Sequence, residues 1–236
     1  MITKNINFKN FVIKIKKFQI SKKLRLLLNQ NNRILSTLRS EYKYSYNNRI
    51  ISKFKKSSSF TLIGMGGSIL GAQAIYDFLK YKIKKNFLFI NNIDSNLIIS
   101  HKKNNVNLII SKSGNTLETI VNANIFIKKK DRNIFITENT NNYLLNLGKK
   151  IKAEIIEHRN YIGGRYSVLS EVGMLPAELM GLKASKFKRF NHLINNNNFI
   201  SQLICNVEST LKFTKQKKYN SIILNYDEGS ENLFKW

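Results

Sequence analysis

The chain has 236 residues, of which 42% are hydrophobic, so it is long and apolar enough to bury the core of a globular domain. Its formal net charge of +26 favours polyanionic partners. The lysines are nevertheless spread along the chain among abundant Asn, Ile, Phe and Tyr, all residues of AT-rich codons, and no known nucleic-acid-binding motif accompanies them. We therefore expect no nucleic-acid partner. We also expect no membrane association, since no apolar run approaches about 18 residues.

Cysteine usage and the first residues bear on the cellular compartment. Cys205 is the only cysteine, which excludes an intrachain disulfide and a cysteine-based zinc site. A reducing, cytoplasmic location is expected. Residues 1–28 are basic and lack acidic residues, as in a transit peptide, but they contain no uninterrupted apolar core for secretion. We predict a surface helix for them.

The apolar pattern changes at residue 59. Residues 21–56 have helical spacing, which predicts a helical N-terminal segment within 1–58. After it, short apolar runs alternate with longer helical segments, which predicts an α/β domain over 59–166 with a doubly wound five-stranded parallel sheet. The predicted strands are 60–65, 87–93, 106–111, 133–137 and 154–158. The predicted connecting helices are 68–80, 95–102, 116–129 and 142–152.

A helical tail is predicted for residues 167–218. Its helices are 167–181, 185–194 and 199–218, and the polar run 195–198 is predicted to be a loop. Residues 221–225 are predicted to form a strand, and residues 231–236 begin an amphipathic segment. We expect residues 219–236 to be the start of a second domain that is cut off.

A glycine-rich turn follows the first predicted strand, where parallel sheets bind ligands. Residues 64–68 read GMGGS, and Ser68 is predicted to open the next helix. A purely structural turn is an equally good explanation of these glycines. A dinucleotide site is another alternative, because Asp94 lies at the end of the second predicted strand. The glycine spacing argues against it, since Ile69 occupies the position of the third glycine and Gly71 comes too late.

A loop rich in hydroxyl groups follows the third predicted strand. Residues 111–119 read SKSGNTLET and enter a helix, whose dipole and free N–H groups favour a phosphate. Ordinary capping by Ser113 or Asn115, with Glu118 in the first turn, is the alternative. Capping requires only one hydroxyl, and the loop has four. The pattern favours an anion site.

Paired glycines carry an arginine after the fifth predicted strand. Residues 162–167 read IGGRYS, and the planar guanidinium of Arg165 can stabilise a phosphate, a carboxylate or a developing enolate oxygen. A surface salt bridge is an equally good explanation from spacing alone.

In this order, the three segments resemble the glucose-6-phosphate isomerase family, whose members carry a Gly-Gly-Ser turn, a Ser-Lys-Ser/Thr loop and a Gly-Gly-Arg-Phe/Tyr-Ser signature. The most specific match is NYIGGRYSVLS at residues 160–170, followed by VGMLPA at residues 172–177. The resemblance covers residues 60–181. Glu171 departs from the small residue usual in the family, and residues 113–115 look more like the general sugar-isomerase (SIS) domain.

The resemblance implies an SIS domain at residues 59–166, with a sugar-phosphate site and an enediolate mechanism. The implied reaction, in glycolysis and gluconeogenesis, opens the sugar ring and moves a proton between C2 and C1, and it involves no metal or redox cofactor. Arg165 would stabilise the oxygen on which charge develops, and a homodimer is implied for the full-length form. The implied substrate-binding and phosphate-binding residues are Gly67, Ser68, Ser111, Lys112, Ser113 and Thr116.

The remaining catalytic groups of the family have no counterpart in the matching motifs. The family's base is a glutamate of a second SIS half, and ring opening uses a histidine of the partner subunit and a lysine near the carboxyl end. His101, His158 and His192 are predicted to be surface or packing residues, and neither Glu118 nor Glu171 is at the position of the base. A non-catalytic sugar-phosphate sensor and a nucleotide-dependent oxidoreductase remain alternatives.

Overall fold

The computed structural model describes residues 18–30, 32–94 and 104–236. Its centre is a five-stranded parallel sheet in the order β2-β1-β3-β4-β5. The strands are β1 (Ser59–Gly64), β2 (Asn86–Ile90), β3 (Asn105–Ile110), β4 (Arg132–Thr137) and β5 (Glu154–Glu157). All five predicted strands are confirmed, and so is the doubly wound α/β class.

Strand β2 is shorter at its carboxyl end than the sequence predicts. It ends at Ile90 instead of residue 93. Strand β2 lies at the edge of the sheet and pairs only with β1, and Ile90 lies opposite Ile63, one residue before β1 ends. The continuous apolar run itself ends at Ile90, since the polar residues Asn91 and Asn92 follow it, and the strand ends with that run.

Helices flank the sheet and form the two terminal segments. They are α1 (Phe18–Asn29), α2 (Asn48–Phe54), α3 (Leu70–Phe78), α4 (Leu117–Phe126), α5 (Tyr143–Lys150), α6 (Glu171–Leu179), α7 (Asn191–Ile194), α8 (Asn197–Lys215) and α9 (Glu231–Lys235). The helical N-terminal segment is confirmed over α1 and α2. The helix predicted at residues 95–102 and most of the one predicted at 1–28 lie outside the described residues.

Two apolar layers cover the sheet. On one face, alternate residues such as Leu62, Leu108 and Ile134 pack with residues of α2, α3 and α6. On the other face, Ile109 and Phe135 pack with α4 and α5. Burial on both faces explains why the strands are continuous apolar runs and not alternating ones.

The helical tail differs in detail from its prediction. The helix predicted at residues 185–194 is a 3-10 turn at Ala184–Lys188 followed by the short α7. The prediction of a loop at residues 195–198 is wrong for residues 197 and 198, since α8 begins at Asn197. The side chain of Asn196 caps α8 by accepting a hydrogen bond from the Phe199 N–H at 3.0 Å. No described helix combines the length and apolar content that crossing a membrane requires.

The strand predicted at residues 221–225 is wrong. This segment is extended but has no regular structure, and the side chains of Ile222 and Leu224 are 87% and 72% exposed. An isolated apolar segment becomes a strand only beside a partner strand. None of the described strands lies beside it. The chain then returns to the domain, where α9 packs on α3 and Asn232 donates a hydrogen bond to Asp77 at 2.5 Å.

Candidate functional site

The strand order places two loops beside each other at the carboxyl edge of the sheet. In a 2-1-3-4-5 order, the chain leaves β1 and β3 in opposite directions, and a crevice opens between the loops that follow them. Gly64 at the end of β1 lies opposite Ile110 at the end of β3. The glycine-rich turn at residues 64–68 and the loop at residues 111–116 therefore border this crevice.

The turn after β1 is shaped by its glycines. Gly66 has a φ of +53°, which favours glycine, and it begins a 3-10 turn that ends at Ser68. A Cβ atom on Gly67 would lie 2.4 Å from the carbonyl carbon of Gly164. Only glycine allows this close approach of two loops.

Ser68 does not open a helix as the sequence predicted. Helix α3 begins at Leu70, after Ile69, and no side chain caps it. The Ser68 hydroxyl makes no hydrogen bond to any other residue within the described ranges. It therefore remains available to a ligand at the crevice.

The loop after β3 holds two hydroxyl groups against each other. Ser111 is 2% exposed, and its Oγ lies 2.9 Å from Oγ1 of Thr116. Thr116 is the N-cap residue of α4, but its side chain caps no N–H group of the helix. Ser113 accepts a hydrogen bond from the Asn115 N–H at 3.3 Å instead of capping the helix. Capping by Ser113 or Asn115 is therefore wrong, although Glu118 does lie in the first turn of α4, and no side chain among the described residues caps the first N–H groups of this helix.

Helix α5 fixes the shape of this loop. Gly114 has a φ of +65°, and its carbonyl accepts a hydrogen bond from the Leu144 N–H at 3.1 Å. Asn115 accepts a hydrogen bond from the Tyr143 N–H at 3.0 Å. Asn142, which caps α5, also lies so close that a Cβ on Gly114 would meet its Oδ1 atom at 1.8 Å. These contacts preorganise the loop without using the hydroxyls of Ser111 and Thr116.

Lys112 points toward the neighbouring strand. Its Nζ lies 3.5 Å from Oε1 of Glu138, and its carbonyl accepts a hydrogen bond from the Glu138 N–H at 3.0 Å. The side chain is 37% exposed, so the ion pair contributes little to stability. The contact ties the loop after β3 to the end of β4.

The arginine loop is a 3-10 turn, Gly164–Tyr166, that leans on the glycine-rich turn. The Ser167 hydroxyl makes hydrogen bonds to the carbonyls of Gly67 at 3.1 Å and Gly164 at 2.8 Å. Arg165 is exposed and forms no ion pair or hydrogen bond with any described residue. The salt-bridge explanation is therefore wrong within the described chain, and the guanidinium is available to an anion.

His158 and Glu171 lie behind this loop. His158 is buried, and burial lowers its pKa below the usual value. Its backbone N–H donates to the Thr137 carbonyl at 2.8 Å, so it is a packing residue as predicted. His192 is exposed, and His101 lies outside the described residues.

Sequence reasoning missed that Glu171 is completely buried and accepts a hydrogen bond from the Tyr42 hydroxyl at 3.0 Å. Its only signal in the sequence was the departure from a small residue.

A family model for phosphoglucose isomerase matches residues 41–211. The chain belongs to the phosphoglucose isomerase family. The match contains all five strands and the three loops of the crevice.

Similar proteins include the glucose-6-phosphate isomerases of Methanocaldococcus jannaschii and Mycoplasmopsis pulmonis, each 32% identical to the chain. These alignments cover 79% and 78% of the chain but 51% and 49% of the relatives. The chain thus spans about half the length of these relatives. A hypothetical protein of Thermus thermophilus shares the fold, with a TM-score of 0.68 and 18% identity over 91% of the chain and 56% of its own length.

Proposed function

We propose that the chain is the sugar-phosphate-binding half of a glucose-6-phosphate isomerase, an enzyme of glycolysis and gluconeogenesis that interconverts glucose 6-phosphate and fructose 6-phosphate. The observation that carries the proposal is the start of α4. No side chain within the described ranges caps this helix, and the Ser111 and Thr116 hydroxyls lie 2.9 Å apart beside it. Free N–H groups, the helix dipole and two hydroxyls suit a phosphate dianion.

Each loop of the crevice has a role in this proposal. The phosphate lies at the start of α4, and the glycine-rich turn contacts the sugar through Gly67 and Ser68. The close approach of Gly67 to Gly164 supports this arrangement, because it joins the turn to the arginine loop. The phosphate-binding residues are Ser111, Lys112, Ser113 and Thr116.

Arg165 stabilises the transition state in this proposal. When a base removes the C2 proton, negative charge develops on the sugar oxygens of a cis-enediolate. A guanidinium keeps its charge at physiological pH and offers two parallel N–H groups, so it stabilises this charge more than that of the neutral substrate. The exposed and unpaired state of Arg165 supports the role.

The general base lies in a second SIS half in this proposal, as the family resemblance implies. Residues 1–58 form the N-terminal helical segment, 59–166 the SIS domain, 167–218 the tail, and 219–236 the start of the second half. The exposed apolar side chains of Ile222 and Leu224 support this division, because a second domain would bury them. The complete enzyme is a cytoplasmic homodimer, and the buried free thiol of Cys205 is compatible with a reducing compartment.

A five-carbon aldonate phosphate tests the proposal, because its carboxylate mimics the oxygens of the enediolate. Isothermal titration should show that Arg165→Ala weakens its binding by about 100-fold, the cost of removing a charged hydrogen-bond partner. Binding of inorganic phosphate should be unchanged. The control is Arg49→Ala, which removes an exposed arginine of α2 and should bind both ligands as the wild type does.

A turnover assay tests where the general base lies, and the affinity for the aldonate phosphate separates the enzyme from the sensor. The purified chain should bind fructose 6-phosphate but produce no glucose 6-phosphate. Turnover that depends on Arg165 would mean that the base lies within these residues and would contradict our assignment of it to a second half. Equal affinity of the wild type and Arg165→Ala for the aldonate phosphate would favour a sensor instead.

A further inference from the structure

The loop that carries Arg165 is closed at its base by one buried carboxylate. This loop runs from Arg159 to Glu171, between β5 and α6. The Arg159 backbone N–H donates a hydrogen bond to Oε1 of Glu171 at 3.3 Å. Glu171 is 0% exposed, although it begins a helix at the rim of the domain. The carboxylate therefore connects the two ends of the loop, Arg159 and Glu171, which are twelve residues apart in the sequence.

The same carboxylate also binds the N-terminal segment. The Tyr42 hydroxyl donates to Oε2 of Glu171 at 3.0 Å. Arg159 reinforces the contact, because its Nη2 donates to the Lys43 carbonyl at 2.7 Å and its guanidinium lies 5.3 Å from the centroid of the Tyr42 ring. A residue 129 positions away in the sequence thus holds the base of the arginine loop.

The position of Glu171 is costly unless the carboxylate is well paired, since a buried carboxylate loses its hydration. Both of its oxygens have donors, and the Lys188 ammonium lies near it, 4.5 Å from the centroid of the Tyr42 ring. Apolar residues would fill the same volume without this cost. The hydrogen bonds of Glu171 are therefore better suited to fixing the position of the arginine loop than to increasing the stability of the fold.

The tip of the loop depends on such anchoring. Arg165 and Tyr166 are exposed and make no side-chain contacts of their own by hydrogen bond or ion pair within the described part of the chain. The tip is attached through buried Ile162, through the close backbone contact between Gly164 and Gly67, and through the Ser167 hydroxyl, which donates to the Gly67 carbonyl. Displacing a loop base by a fraction of an ångström moves an exposed side chain at the tip further.

We propose that Glu171 and Tyr42 are positioning residues for Arg165. Together with Arg159 they form a clasp, defined as Tyr42, Arg159 and Glu171, that fixes the position of the arginine loop before the substrate binds. The inference rests on the proposed function, and it concerns a feature of this chain, because Glu171 stands where a small residue is usual.

Tyr42→Phe is the sharpest test, because it removes one hydroxyl and leaves the ring in place. Hydrogen exchange measured by mass spectrometry on the 236-residue chain should become about tenfold faster for amides 162–167, as expected when a charged hydrogen bond is lost. Amides of β3 and β4 should exchange as in the wild type. Glu171→Gln should have a smaller effect than Glu171→Ala, and Tyr81→Phe, at a 78% exposed tyrosine, should have none.

Ligand binding distinguishes positioning from general stability. Tyr42→Phe should weaken the aldonate phosphate about tenfold and leave inorganic phosphate, held at the start of α4, unchanged. Equal weakening of both ligands, or unchanged exchange at residues 162–167, would overturn the inference. If the wild type binds neither ligand, the proposed function fails, and the exchange data alone still decide whether the clasp holds the loop.

Discussion

Gly67 is a position in the crevice where only glycine fits against a neighbouring backbone. Its Cα faces the Gly164 backbone so closely that a methyl group would overlap the peptide, and a backbone cannot rotate away as a side chain can. The contact joins the glycine-rich turn, which contacts the sugar in our proposal, to the arginine loop. Packing and binding thus depend on the same missing side chain.

Gly67→Ala should therefore lower both stability and affinity. Overpacking against the Gly164 backbone should reduce the free energy of unfolding by about 1–3 kcal/mol, measured by urea denaturation. The two loops should separate, so that binding of fructose 6-phosphate is lost. Gly163→Ala is the matched control, because its Cβ would lie 3.8 Å from the Tyr166 ring, an ordinary contact. Equal behaviour of the two variants would contradict the described packing.

His158 should make stability dependent on pH. Burial lowers its folded pKa below 6.5, so below that pH the unfolded chain binds a proton that the folded chain does not. Stability should therefore rise with pH through this window and fall as the pH drops below about 6.5.

The test compares wild type and His158→Gln by urea denaturation at about pH 5 and about pH 7.5. The wild type should lose more stability than the variant on acidification. An equal loss in both chains would mean that other groups carry the acid sensitivity.

At the scale of an element, helix α4 differs at its start from the helices that have side-chain caps. Thr116 is in an extended conformation suited to a cap, with φ of −67° and ψ of 120°, yet its hydroxyl bonds to Ser111 and not to the helix. By contrast, α8 and α5 begin with asparagine caps that bind their own N–H groups. We propose that the absence of a side-chain cap leaves the first N–H groups of α4 available to bind phosphate.

Thr116→Asp should increase the stability of the chain and abolish its binding of phosphate. The carboxylate should cap α4 and complement its dipole, which should raise the free energy of unfolding by about 1 kcal/mol in urea denaturation. It should also occupy the phosphate position and abolish binding of inorganic phosphate in calorimetry. Asn196→Asp, at the capped start of α8, should leave phosphate binding intact. Retained phosphate binding in Thr116→Asp would place the anion elsewhere.

The elements of the sheet could be predicted from sequence because burial on both faces produces short continuous apolar runs. The failure at residues 221–225 has the same cause, since the run is equally apolar but finds no partner strand among the described residues. Apolar content thus reports what a segment can bury. It does not report whether a neighbour is present.

Only those parts of the candidate site that are formed by short, continuous segments could be predicted from the sequence. The three loops were found because glycines, hydroxyls and an arginine follow successive strands. The contact between Tyr42 and Glu171 could not be predicted, because 129 positions separate the two residues in the sequence and each residue type is also common at protein surfaces. Contacts of this length follow from the whole fold and not from a motif.

At the scale of the whole molecule, the chain combines a complete doubly wound domain with about half the length of its relatives. All three loops that we assign to the substrate lie within this domain. In our proposal, substrate binding by the chain therefore depends on folding of the sheet and not on the additional length of the relatives. The chemistry, in our proposal, depends on both.

The most direct test of this account is an amide NMR titration of the 236-residue chain with fructose 6-phosphate. A sugar-phosphate site at the crevice predicts the largest shifts at Gly67, Ser68, residues 111–119 and residues 163–167, and much smaller shifts with unphosphorylated fructose. No shifts, or equal shifts with both sugars, would contradict a sugar-phosphate site at this crevice. Shifts centred on other residues would contradict its location.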